Sequence, residues 1–579
     1  MLALIAISGL GLQLISVIAQ DIITSSDISN GASVFVFRQT SKKAQVKQAM
    51  QKTFVVARTK KRRKINSQLS SVRQKKTTSK ITLALRENRK IEISDTLTAK
   101  ADTLFQQKQI GPAIQNYREA LRNNPKNQNA ANGLSDALTA KGISEAGESH
   151  NEIAIPTFNE AVRHNNKNAV AYANLGDIHF ANERTEQAIS NFEKALSFDP
   201  DLTELYTPLG LAYVAAGEIT KAEIELSKAD SVLKPEAETE YLRGLIFYKQ
   251  NKNDDALAAF SKTLMLDPDS VLANYYLAAV YDRLNQTEQS IAAYKKTIDI
   301  EPAFAPAYFD LGVTYYNDAH YEYAEQAYKK TVKIDYENSE AHANLASTHR
   351  QLGEYAEANG EYKIAAEGIK GDADLFSEWG YCLGKVGNWT NAIARLETAR
   401  SIAPEESVYT NLGWAYYNAG QELENSNKSA GSIYAKAKNS LQEAIEINPH
   451  YAAAYLNLGS THNALGEFHE AVNSLSQAVA LDSNWVAAIN ELGVAYRGLN
   501  DLAKASAQFK RAVSLDDKFA LGFYNLGEAE YQRGNKKEAK KARKILAKLS
   551  PSLAQKLNSV ITGKKKKRMI KSKTSKSRY

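Results

Sequence analysis

Residues 169–202 read AVAYANLGDIHFANERTEQAISNFEKALSFDPDL, and the dipeptide Leu175-Gly176 inside this stretch recurs through most of the chain. At 34-residue spacing it returns as Leu209-Gly210, Leu277-Ala278, Leu311-Gly312 and Leu345-Ala346. After one 33-residue step it stands at Leu412-Gly413, then at Leu458-Gly459, Leu492-Gly493 and Leu526-Gly527, with weaker copies at Ala101 and Ser135. A fixed period in this range belongs to stacked repeats, each burying its face on its neighbours.

Twelve places after the small residue of most copies comes a second one, among them Ala113, Ala188, Ala222, Ala256, Ala324, Ala358, Ala392, Ala471, Ala505 and Ala539. Small residues at paired slots let two antiparallel helices approach closely, so each unit is predicted to be a helical hairpin whose small slots face one another. Four places beyond stands a large apolar residue such as Phe192, Phe260, Tyr328 or Phe509, and three further on a small one such as Ala195, Ala229 or Ala399. These spacings keep all three slots on one face of the second helix. Pro125, Pro200, Pro268, Pro302, Pro404, Pro449 and Pro551 follow. Proline lacks an amide donor and biases its predecessor away from the α region, so each ends a second helix.

Tyr172, Leu175, Gly176, Ala188, Phe192, Ala195 and Pro200 together resemble the tetratricopeptide repeat, slot by slot. The resemblance implies an all-α, right-handed superhelical α-solenoid of about thirteen helix-turn-helix repeats over residues 94–553. Units begin near residues 94, 128, 169, 203, 237, 271, 305, 339, 373, 406, 452, 486 and 520. Two carry insertions between their helices, near 142–151 and 422–432, and the polar run 424–429 in the second reads as an exposed loop or a helix extension. The last unit has Arg543 where an aromatic belongs, with Lys536, Lys537, Lys540 and Lys541 nearby, and reads as a polar cap.

Both ends differ from the array in composition. Residues 1–20 carry no charge and end in Val17-Ile18-Ala19 before Gln20, which favours an export signal; the same run is long enough for a membrane anchor. The expected location is exported, periplasmic or extracellular, with anchoring or a cytoplasmic product as alternatives. Residues 21–93 are predicted to be a basic, largely disordered linker, and 554–579 a basic tail. Residues 38–90 hold 18 Lys and Arg against one acid, and residues 541–579 hold 14 against none. With an overall charge of +8, residues 91–540 are left at −21. The basic arms are expected to serve as solvated ends or to touch an anionic membrane or envelope polymer. Nucleic acid is disfavoured, because lysine runs without interleaved aromatics offer no stacking platform.

Catalytic signatures are missing from the sequence. It has no HExxH, no phosphate-binding GxxxxGK, no GxGxxG after a strand and no GxSxG, and the repeats leave no length for a catalytic domain. Neither an enzyme nor a metal or cofactor site is expected. The single cysteine, Cys382, reads as a small packing residue, and His462 and His469 as surface or turn residues.

In proteins of the resembling family the first helices line a groove, and an asparagine two places before the small residue binds the backbone of an extended peptide. Asn174, Asn344, Asn411, Asn457 and Asn525 occupy that slot, while Pro208, Leu242, Tyr276, Asp310, Glu378 and Glu491 interrupt the series. Where it is interrupted, other first-helix positions become aromatic: Tyr241, Tyr248, Tyr275, Phe309, Tyr316, Tyr381, Trp414 and Tyr417. These positions are predicted to exceed what the hairpin core needs, that core being filled by Phe247, Tyr281, Tyr315 and Tyr416. The expected function is therefore a non-enzymatic scaffold that holds an extended peptide or partner protein. The alternative is a structural envelope protein attached through its basic arms.

Overall fold

A computed structural model describes residues 83–146 and 151–562, all of whose regular structure is helical. The described residues fall into two compact units, divided between Asn338 and Ser339. The first comprises α1 (Leu83–Gln106), α2 (Ile110–Asn123), α3 (Gln128–Ala146), α4 (Asn151–His164), α5 (Ala169–Ala181), α6 (Thr185–Phe198) and α7 (Tyr206–Ala216). It continues through α8 (Ile219–Val232), α9 (Ala237–Lys249), α10 (Asn253–Leu266), α11 (Val271–Arg283), α12 (Thr287–Ile300), α13 (Ala305–Asn317) and α14 (Tyr321–Ile334). The second unit begins with α15 (Ser339–Gln351), α16 (Tyr355–Gly368), α17 (Ala373–Lys385), α18 (Trp389–Ile402), α19 (Glu406–Asn425) and α20 (Gly431–Ile447). It ends with α21 (Ala452–Leu465), α22 (Phe468–Leu481), α23 (Val486–Gly498), α24 (Leu502–Leu515), α25 (Ala520–Gln532), α26 (Lys536–Leu549) and α27 (Pro551–Thr562). Consecutive odd and even helices make thirteen hairpins, and α27 follows the last.

The hairpin contact differs in detail from the predicted pairing of small slots. A Cβ added at Gly176 would lie 2.5 Å from the ring of Phe192, sixteen places on. The same relation links Gly244 to Phe260, Gly312 to Tyr328 and Gly493 to Phe509, each at 2.6 Å. So the first helix is bare at this slot because a ring of the second helix lies across it. The alanine at the intermediate slot, fully buried at Ala188, Ala256, Ala324 and Ala505, lets the backbones close around that ring.

The turn between helices needs one left-handed residue, and it falls seven places after the small slot. Gly217 and Gly353 meet this at no steric cost with φ of 83° and 79°, whereas Ala319 adopts φ of 55° with a side chain attached. At the other end each proline behaves as predicted. Helices α6, α10 and α12 stop at Phe198, Leu266 and Ile300, two residues before Pro200, Pro268 and Pro302.

Among the described residues, which leave out 147–150, both insertions extend helices, and for the later one helix extension was one of the two expected forms. Helix α3 runs on through Gly142 to Ala146, and Gly142 sits against the Phe158 ring in the same sixteen-place relation. Seven extra residues complete almost two helical turns, so the added length returns to the same face. Ser135, one such step earlier, donates to the Ala161 carbonyl at 2.8 Å, and Asn168 donates to Ser135 at 2.8 Å. In the later insertion α19 continues to Asn425 and α20 starts at Gly431, with Gly420 against the Tyr434 ring.

Two boundaries also move. Helix α1 starts at Leu83, inside the stretch expected to be linker, and α27 continues past residue 553. Helix α27 supplies what the last repeat lacks: Leu557, fully buried, takes the place against Gly527 that Arg543 cannot fill. Residues 1–82 and 563–579, which include the export signal or anchor, most of the linker and most of the basic tail, lie outside the described residues. No helix among the described residues is long and apolar enough to cross a membrane.

Candidate functional site

The five asparagines all lie on first helices and all are buried. Asn174 on α5 donates from Nδ2 to the Val170 carbonyl at 2.7 Å, and Asn411 on α19 donates to Ser377 Oγ at 3.2 Å. The Oδ1 atoms of Asn174, Asn411 and Asn457 accept no hydrogen bond from any described residue. Asn525 differs, because it donates to Asn490 Oδ1 at 2.9 Å and accepts from Arg497, which also pairs with Glu528 at 2.6 Å. Asn344 is buried on α15.

The aromatic positions are packing positions, against expectation. Tyr241, Tyr275, Phe309, Tyr316, Trp414 and Tyr417 are each at most 5% exposed; Tyr248 and Tyr381 are half-buried. Phe247 and Tyr281, assigned to the core by sequence, are themselves only half-buried. The reason is that a first helix packs on the first helices of neighbouring hairpins as well as on its own partner.

In the unit ending at Asn338 this packing gathers around Tyr276. Tyr241 on α9 meets Tyr276 on α11 at 6.1 Å between ring centroids, Tyr248 meets it at 5.4 Å and Tyr275 at 5.3 Å. Tyr276 also stacks on Phe260 at 5.7 Å. Sequence reasoning marked Tyr276 only as a gap in the asparagine series. Tyr275 donates to Asp310 Oδ2 on α13 at 2.7 Å, while Phe309 and Tyr316 contact Tyr328 and Tyr321 at 6.0 and 5.3 Å. The Arg283 guanidinium lies 3.4 Å above the Tyr248 ring.

In the unit from Ser339, Tyr381 on α17 meets Trp414 on α19 at 5.4 Å, Trp389 meets Trp414 at 5.2 Å, and Tyr417 meets Tyr434 at 6.0 Å. Several enclosed polar atoms on α19 and α21 are unsatisfied. Besides Asn411 and Asn457, the Trp414 indole N–H, Thr410 Oγ1, Ser460 Oγ and Asn463 Oδ1 are enclosed without a hydrogen bond among the described residues. Helices α19 and α21 therefore present both acceptors and a donor on consecutive first helices. Ser460 and Asn463 were missed, although their three-residue steps from Asn457 keep them near it along α21.

Burial raises the Glu491 carboxyl above its ordinary value, against hydrogen bonds from Asn463 and Asn490 and the charge of Arg497, which lower it. The native chain thus holds this proton over a window above pH 4.5 in which the unfolded chain has released it, and stability falls as pH rises through that window. Glu491→Gln, with one neighbouring amide reversed to present its oxygen, is expected to remove that slope and to be the more stable form above the window. Denaturant midpoints of both forms measured from pH 4 to pH 8 check this.

Cys382 is fully buried, and burial pushes its thiol far above the usual range, consistent with a packing role. His462, expected at the surface or in a turn, is buried in the last turn of α21. It is 7% exposed and pairs through Nδ1 with Glu467 at 2.6 Å, while His469 is exposed.

A tetratricopeptide repeat model matches residues 98–148, 241–306, 309–373 and 490–553; a second matches 434–492, and a TPR repeat model matches 176–217. No curated protein matches the chain. Among solved structures, the APC/C hetero-tetramer Cut9-Hcn1 is similar at 15% identity and a TM-score of 0.37, over 78% of this chain and 99% of that one. A thermophilic TPR protein of Thermus thermophilus, TTC0263, is similar at 23% identity and 0.30, over 33% and 99% of the two chains. YrrB, described as a TPR protein with an unusual peptide-binding site, is similar at 21% identity and 0.25, over 32% and 95%. With a 34-residue period, thirteen helical hairpins and matched models in both units, the chain belongs to the tetratricopeptide repeat family.

Proposed function

We propose that the array is a non-enzymatic protein-interaction scaffold that holds an extended peptide segment along the first helices of its second unit. The observation that carries this reading is the set of enclosed, unsatisfied polar atoms on α19 and α21. The oxygens of Asn411 and Asn457 lack donors, and the Trp414 indole lacks an acceptor. Leaving a buried polar atom unpaired costs about 1–3 kcal/mol, so the unliganded chain carries a penalty that a ligand can relieve. A peptide backbone offers N–H and C=O groups in alternation, which suits both kinds of orphan irrespective of its side chains. Capture includes uncovering these atoms, and affinity is reduced by that step.

The buried aromatics support the wall and do not themselves grip the ligand. Replacing Tyr275, Phe309 and Tyr316 together would remove three packed rings, so the loss of binding that followed would be uninformative. Asn411→Ala with Asn457→Ala is the cleaner pair. Affinity purification with the full chain is expected to recover a defined partner, and the double variant is expected to bind it about tenfold less well or worse. Equal recovery by both would overturn the reading.

Export through residues 1–20 belongs to the same proposal and rests on their uncharged, apolar composition. Recovery of a cytoplasmic product that retains residue 1 would exclude it.

A further inference from the structure

In the hairpin of α17 and α18 the recurring Leu-Gly word becomes Trp379-Gly380. The only comparable polar or aromatic exchange among its copies after residue 169 is Arg243-Gly244. Arg243 is satisfied within the fold, bonding Asp230 at 2.7 Å and Glu240 at 3.2 Å. Trp379 is not. Its ring is 8% exposed, stacks beside Phe376 at 6.3 Å, and lies 4.3 Å beneath the Arg395 guanidinium, yet neither the indole N–H nor Arg395 Nε has a hydrogen-bond partner among the described residues.

These groups line an open hollow of about 530 Å³ between α16, α17 and α18. Phe376, Trp379 and Leu383 form its apolar part, and Lys363, Lys370 and Arg395 bring three cations to it. None of the three pairs with a described carboxylate. Glu367 is the one acid on its lining. In an array that carries −21 over residues 91–540, unpaired cations grouped around an aromatic floor run against the surrounding charge.

We propose that this hollow is a second recognition site, which takes a short acidic peptide segment bearing a bulky apolar side chain next to one or two carboxylates. The apolar side chain packs on Phe376 and Leu383 beside the indole. A carboxylate accepts hydrogen bonds from Arg395 and takes the charge of Lys363 and Lys370, in the geometry that guanidinium groups favour. A long polyanion fits poorly, because nucleic acid draws its affinity from a track of neutralised phosphates, whereas this cationic patch is one hollow within a negative array. The site is built from α16–α18 and shares no residue with the orphaned amides of α19 and α21, so failure at one leaves the other standing.

The test is fluorescence anisotropy with the full chain and labelled octapeptides in which Phe or Leu is flanked by Asp and Glu. Matched peptides carry Asn and Gln in place of the acids, or Ser in place of the apolar residue, and a single-stranded oligothymidine serves as the polyanion. The acidic apolar peptides are expected to bind, with a loss of about tenfold on either replacement. Lys363→Gln with Lys370→Gln, at exposed positions, and Arg395→Gln should each weaken binding about tenfold. Trp379→Leu restores the residue common at this slot, so it is expected to keep the helical content and thermal midpoint while also weakening binding. The proposal is overturned if acid and amide peptides bind alike, if the lysine variant binds unchanged, if no peptide saturates below about 1 mM, or if only the oligonucleotide binds.

Discussion

Phe192→Ala is expected to destabilise the first unit by about 3–5 kcal/mol, the usual cost of removing a fully buried aromatic. Phe192 is 0% exposed and its ring lies across the bare backbone of Gly176, so nothing adjacent can fill the void without bending α5. The partner slot gives an internal control. Gly176→Ala alone would force a methyl to 2.5 Å from that ring and is expected to cost about 1–3 kcal/mol. In the double variant the new methyl occupies part of the vacated space, so the two costs should sum to more than the measured loss. Denaturant titrations of the four forms check this; strict additivity would mean that glycine and ring do not share one packing site. Since repeat arrays can lose single-step unfolding, hydrogen exchange at α5 and α6 is the better local readout.

Leu557→Ala is expected to cost about 2–5 kcal/mol, and to release the end of the array before any other part. Leu557 is fully buried, yet it lies on α27, beyond the last repeat. It covers Gly527 because Arg543 stands at the slot where other second helices place a ring or leucine. Neighbouring repeats are coupled only through their shared faces, so the loss should appear first as faster exchange in α25 and α26, with α15–α18 unaffected. Uniform protection throughout the second unit would contradict this view of α27 as the seal of the stack.

The fold was legible because the same chemical constraint recurs in each hairpin. Starts expected at residues 169, 237, 271, 305, 339, 373, 406, 452, 486 and 520 coincide with the observed helix starts. The prolines are as reliable, since a missing amide and a steric clash act locally and need no tertiary partner. Insertions were harder to place. A seven-residue addition such as that before Gly142 can leave as a loop or continue as two turns, and only the ring of Phe158 waiting for a glycine decides between them.

The wall of first helices was less legible, and the reason is geometric. A period measured within one hairpin encodes how its two helices meet, not how one hairpin's first helix meets the next. Tyr241, Tyr275 and Trp414 look surplus to a single unit, but their partners Tyr276, Asp310 and Tyr381 belong to the adjoining ones. Asparagine shows the opposite case. Its slot was readable, yet which members stay unsatisfied depends on neighbours: Asn525 is matched by Asn490 and Arg497, whereas Asn411 and Asn457 keep an unpaired oxygen.

The most direct measurement is an N-methyl scan of a captured peptide against the wild-type chain and the Asn411→Ala, Asn457→Ala variant. Removing the backbone donor that meets an asparagine oxygen is expected to lower wild-type affinity about tenfold at one or more positions. The variant, already weakened, should show no further loss at those same positions. A peptide whose binding is insensitive to N-methylation at every position, or equally sensitive in both proteins, would contradict recognition of backbone by these amides.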